Sequence, residues 1–209
     1  MKKLLILIIL ISQYTFADSP LTSTDFYKSY MDVTLVQDAL KSKGKINNEM
    51  LEYIYEEKNP LEIKLALINA LGWNVKGLSN SRKYFKFVMN KRKYKSDFGG
   101  EYTAFNWNAT AEELICYAYI KALDNYFNVS DACEIACLAV KKNSNSFATN
   151  MIYALIKAQG LTSFNESCYA SKMFISLKDN PKLSIDMKKE AMPFIFEYMD
   201  DIGKNCKTQ

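Results

Sequence analysis

The chain contains no histidine. Without imidazole there is no Ser-His-Asp or Cys-His nucleophile, no histidine general base and no zinc site that relies on ring nitrogens. Glycine and proline are scarce, 7 and 4 in 209 residues, while 49% of residues are apolar. So few breakers in so apolar a chain favour helices over a β-sandwich. Beyond the N-terminal segment no run is apolar enough to span a bilayer, and no cysteine follows that first run to carry a lipid anchor. Charge of one sign is also lacking. The formal net charge is +4, and Lys2 and Lys3 of the leader supply part of it. A chain this near neutrality has no global bias toward nucleic acid, and none is expected as a partner.

What is present begins with "MKKLLILIILISQYTFADSP". A basic start, a short apolar run from Leu4 to Ile11 and small or polar residues ending at Ala17 make a secretory signal peptide, cut after Ala17. The run is shorter than the roughly 20 residues that cross a bilayer. Residues 1–17 are therefore read as a signal peptide, and 18–209 as one exported all-α domain, periplasmic or secreted, with no membrane span after cleavage. Its length suits a single core.

Helical spacing and capping residues recur along the chain. A first helix is expected from about Thr24 to Lys41, ended by Gly44, and a second from Asn48 to Glu57. Asn59-Pro60 reads as N-cap and first helical position for a helix closed by Gly72. Ser79 or Ser81 starts another, to Arg92. Residues 94–108 break the rhythm with paired glycines and dense aromatics, and read as an irregular insertion. Thr110-Ala111-Glu112-Glu113 is a capping box opening a helix to Phe127. Ser130-Asp131 and Ser146 begin the next two, and Gly160 stops the second. Ser163 to Glu166 forms another capping box. Ser184 is expected to cap a last helix to about Gly203, with Pro193 giving a kink or a late start. The count is about eight or nine helices.

Three of these segments echo one another. Ile115 to Ala122 returns as Met151 to Ala158, about 36 positions on, and Ala66 to Gly72 matches Ala118 to Asp124 once the insertion is allowed for. Alanine stands at 66, 118 and 154 and again at 70, 122 and 158, on one helical face. Such a period means stacked antiparallel helix pairs, each burying its neighbour's apolar stripe. The pairs span about 47–92, 109–142 and 146–178, with 184–203 as a terminal cap. "NPLEIKLALINALGW" resembles the second half of a HEAT-type repeat, and the later spacing is similar to tetratricopeptide repeats. The resemblance implies an α-solenoid scaffold and a protein- or peptide-binding surface. It carries over no catalytic residue.

Five cysteines follow the leader: Cys116, Cys133, Cys137, Cys168 and Cys206. Cys133 and Cys137 lie one turn apart on a helix, an awkward spacing for a mutual bond. A metal site would want further thiolates from other helices, so no metal site and no cofactor is assigned. The repeat places Cys133 and Cys168 in corresponding positions, which makes a Cys133–Cys168 staple plausible. Cys168–Cys206 is the rival, and buried free thiols are the third possibility.

"RKYFKFVMNKRKYK", residues 82–95, is basic and aromatic with no acid. Lys91, Arg92 and Lys93 suit an acidic partner, anionic lipid or polysaccharide. The same stretch also reads as an amphipathic helix with Tyr84, Phe85, Val88 and Met89 inward. In the insertion, Glu101, Tyr102, Phe105 and Trp107 form either an aromatic binding shelf with one acid or a cover over the core. A protein or peptide partner is the expectation. The alternatives are a cell-wall or polysaccharide hydrolase using Glu101 or Glu112 with another acid, and a purely structural domain. Glu112-Glu113 is also explained by first-turn capping.

Overall fold

The computed structural model describes residues 19–74, 76–94, 99–161 and 164–206. Residues 1–17, expected to be a signal peptide, lie outside them, as do Phe98 and Ser163 of the expected second capping box. The chain is all-helical. Ten α-helices are present among the described residues: α1 (Thr34–Lys41), α2 (Asn48–Tyr55), α3 (Leu61–Leu71), α4 (Asn80–Arg92), α5 (Gly100–Asn108), α6 (Ala111–Asp124), α7 (Ser130–Lys142), α8 (Phe147–Gln159), α9 (Phe164–Lys178) and α10 (Met192–Cys206). Short 3-10 turns cover Phe26–Tyr30 and Lys189–Ala191.

The three echoing segments are α3, α6 and α8. They lie side by side, α3 against α6 and α6 against α8. Alanines 66, 118, 154, 70, 122 and 158 are all buried there, where a missing side chain lets helix backbones approach. Around this centre α1 covers α3, α4 covers α6, and α7 packs on both α6 and α8. α9 lies on α8 and α10 on α9. The turn at Phe26–Tyr30 packs on α3 and meets the Lys189–Ala191 turn. There an early and a late segment of the described chain meet. The Lys188 backbone N–H donates to the Tyr30 hydroxyl at 3.0 Å, and Lys188 Nζ lies 3.0 Å from Asp32.

Local chemistry explains the helix starts. Thr110 and Glu113 make the reciprocal capping box of α6, with bonds of 3.1 and 2.8 Å. Ser146 caps α8 by accepting from the Thr149 N–H. α4 is capped from afar, by Asp124 at the end of α6, which accepts from the N–H groups of Asn80 and Ser81 and from the Ser81 hydroxyl.

Four boundaries differ from the sequence reading. The helix expected over Thr24 to Lys41 is split, because Val33 is extended (φ −96°, ψ 114°) and only Thr34–Lys41 is α-helical. Asn59 does not cap α3; its side chain donates to the Tyr53 carbonyl instead. Ser184 does not start the last helix. Its backbone pairs with Asn145 and Phe147, and α10 begins at Met192, the late start that Pro193 allows. The stretch 94–108 is not irregular throughout, since Gly100–Asn108 forms α5. Gly99 makes this possible. It takes φ +87°, and a Cβ there would sit 2.9 Å from the Thr103 side chain, which donates to the Gly99 carbonyl.

Candidate functional site

α5 has two faces. On the inner one Phe105 is fully buried and Ala104 nearly so. The Phe105 ring sits 5.1 Å edge-on from Tyr117 of α6 and 5.3 Å from Phe85 of α4. Tyr102 reaches the same Phe85 ring at 6.4 Å. Rings at such separations attract beyond their area burial, and they pin a short helix that has little other apolar contact. On the outer face Trp107 is 80% exposed and Tyr102 42% exposed. The insertion thus covers the core with one face and leaves Trp107 and Tyr102 facing solvent with the other.

The outer face lines an open groove of about 460 Å³ formed by Tyr102, Thr103, Asn106 and Trp107 of α5 with Leu138 and Lys142 of α7. Lys142 spans its end, donating to the carbonyls of Trp107 and Ala109 at 2.9 and 2.6 Å. Asn106 Oδ1 is buried with no hydrogen-bond partner among the described residues. An acceptor in that state costs about 1–3 kcal/mol until something donates to it. Glu101 is exposed in the first turn of α5.

The basic trio lies elsewhere. Lys91 of α4 pairs with Glu52 of α2 at 2.8 Å, a bond that raises the lysine pKa. Arg92 pairs with Glu57 and with Glu113, the latter at 2.8 Å. These pairs hold the guanidinium firmly charged and push the Glu57 carboxyl below its usual range. Lys93 is exposed at φ +52° and closes α4. The cations expected to face a partner are thus largely matched by carboxylates of this chain.

Glu112 and Glu113 are engaged as well. Glu113 holds Arg92, caps α6 and lies 3.3 Å from the Tyr94 hydroxyl; burial, with Glu113 beside it, raises that phenol's pKa to about 12. Glu112 meets Nζ of Lys64 at 2.7 Å. Lys64 is 1% exposed, an ammonium inside the core that needs this carboxylate. Close by, burial pushes the Cys116 thiol to about 12.

The cysteines resolve one alternative. Cys168 and Cys206 are bonded, joining α9 to α10, while Cys116, Cys133 and Cys137 are free thiols. The Cys133–Cys168 staple is absent, since Cys168 is bonded to Cys206 of α10, with Cα atoms 5.6 Å apart. Sequence reading missed Thr103, Asn106, Leu138 and Lys142 of the groove. Their signal was present, since 103, 106 and 107 follow helical spacing, as do 138 and 142, but the paired glycines hid α5. Among the described residues no group of three or more metal-ligating side chains gathers, and no helix is long and apolar enough to cross a membrane. Compared with protein-family models, curated proteins and solved structures, the chain matches none.

Proposed function

We propose that this chain is an exported, non-enzymatic helical-repeat protein whose α5–α7 groove binds a peptide segment of a protein partner. The observation that carries the reading is Trp107, 80% exposed beside an apolar-walled groove. A solvated indole forgoes roughly 2–3 kcal/mol of burial, and tryptophan is the side chain most often found as an interface anchor. The occupant's chemistry follows from the walls. Tyr102, Trp107 and Leu138 take a large apolar side chain, and the polar wall of Thr103 and Asn106 pairs with a main chain. A peptide offers both in one unit. The side-by-side packing of α3, α6 and α8 supports the repeat reading, and the ion pairs holding Glu112 and Glu113 support a scaffold rather than a hydrolytic carboxylate pair.

A displayed peptide library selected on the full exported chain tests this. Enriched peptides share one large apolar residue, and their binding shifts Trp107 emission to shorter wavelength. Trp107→Ala, with unchanged thermal stability, weakens them by about 2 kcal/mol or more. Selection of the same peptides at equal affinity by Trp107→Ala and Tyr102→Ala variants removes the groove from consideration. Export has its own check: mass spectrometry of the secreted form gives Asp18 as first residue, and retention of Met1 to Ala17 contradicts it.

A further inference from the structure

We propose that the cleft between the start of α8 and α10 binds a single-chain fatty carboxylate. The cleft has a volume of about 240 Å³ and is lined by Phe147, Lys178, Ile185, Lys189, Met192 and Phe196. It shares no residue with the α5–α7 groove and takes its ligand independently of it. Its rim is anchored on both sides of Ile185. Ser184 donates its N–H to the Asn145 carbonyl at 2.7 Å and accepts from the Phe147 N–H at 3.0 Å. The Asp186 carboxylate accepts from the Ser146 hydroxyl at 2.6 Å and from the Ala148 N–H at 2.7 Å. Ile185 is thereby held in place, yet it is 55% exposed. Phe147 and Phe196 are buried and form the floor, with ring centroids 6.4 Å apart. An isoleucine fixed in water beside buried rings is apolar surface that an alkyl chain covers.

The lining fixes the class of ligand. Four of its side chains are apolar and two cationic, with no acid and no neutral polar group among them. A peptide laid there buries main-chain N–H groups that meet no side-chain acceptor, because lysine only donates. An alkyl chain carries no such groups. The α5–α7 groove differs in this respect, since Thr103 and Asn106 offer it polar partners. The two cations call for an anion at one end of the chain. Lys178 Nζ stands 5.3 Å from the centroid of the Phe196 ring, which places its charge over the floor. Its ion-pair partner Asp200 is 3.9 Å away, too far for a close charge-assisted bond. Lys189 makes no ion pair among the described residues. Asp186 is spent on the start of α8, and Glu190 does not line the cleft. The volume falls below the roughly 300–1,000 Å³ of drug-sized ligand sites, which admits one alkyl chain and not the two of a phospholipid.

The test titrates the full exported chain with decanoate below its micellar concentration, and with decanol as the uncharged chain of equal length. Methyl resonances of Ile185 and Met192 report occupancy. Decanoate shifts both and saturates at one per chain, and decanol binds about tenfold more weakly, the loss of one charge-assisted contact. This comparison on the parent chain needs no variant. Combining Lys178→Gln with Lys189→Gln brings decanoate to the affinity of decanol. Ile185→Asp, at an exposed position, abolishes binding as read at Met192, and Trp107→Ala leaves it unchanged. Equal affinity for decanol and decanoate overturns the proposal, as does decanoate binding that survives Ile185→Asp. Methyl shifts that grow with protein concentration alone assign the cleft to a second copy of the chain. Adsorption to phosphatidylglycerol vesicles without saturable decanoate binding assigns it to a membrane surface. Either result overturns the fatty carboxylate.

Discussion

α5 and α6 are neighbours in sequence, separated by Ala109 and Thr110, yet they behave as opposites. α6 buries eleven of its fourteen residues and has helices on several sides; α5 buries two of nine. The centre is fixed by surrounding helices, and the lysine it buries, Lys64, is paired with Glu112. The rim is held by single devices. Phe105 anchors α5, and one disulfide ties α10 to α9. Burial so complete leaves the centre no surface with which to recognise anything. Surface available for binding lies at the rim, where apolar side chains remain in water.

The largest effect expected to break this contrast is alkaline. Burial raises the Cys116 thiol and the Tyr117 phenol to about 12, and Tyr84 and Tyr119 rise for the same reason. All four belong to the packed centre. The unfolded chain ionises these groups near 9.0 and 10.0, earlier than the folded one. Stability is therefore complete below about pH 9 and is lost as pH climbs toward 12 and beyond, at about 1.4 kcal/mol per group per unit of displacement. Thermal unfolding across pH 7–12 measures it, and a flat profile contradicts the burial of these thiol and phenol groups.

Next in size is the core ion pair. Glu112→Ala takes the carboxylate from the buried Lys64 ammonium and costs about 2–4 kcal/mol, less than a fully buried pair because Glu112 is 38% exposed and water takes part of its place, whereas Lys64→Met stays within about 1 kcal/mol of the parent. Equal losses in urea denaturation mean that the lysine reaches water after all. Removing the Cys168–Cys206 bond, which links residues 38 apart, costs about 2–4 kcal/mol. Its signature is local: hydrogen exchange quickens in α10 and not in α6. Smallest is Trp107→Ala, within about 0.5 kcal/mol in stability, because that indole supports nothing beneath it. A larger loss turns Trp107 into a core cover.

Much of the centre was legible beforehand. The echo at Ala66, Ala118 and Ala154 marked three helices that do lie together, and the Thr110–Glu113 box marked the start of α6 as found. These signals are local or periodic, so spacing alone carries them. The rim was harder to read. Residues 100–108 look unhelical because glycine propensity is poor, and only the Gly99 turn with its Thr103 bond shows how the helix begins. Lys91 and Arg92 read as partner-facing until Glu52, Glu57 and Glu113 arrived from other helices. Ser184 read as a cap and serves as a backbone bridge to Ser146.

The amino-acid pattern by itself determined an all-helical chain, its main caps and the three mutually burying segments, since propensity, capping and apolar period act within a few turns of helix. Tertiary structure alone decided which cysteine met Cys168, which carboxylates matched the basic helix and which face of α5 stayed in water. Those outcomes join residues tens of positions apart, and a distance of that kind is set by how helices pack rather than by any neighbour in the chain.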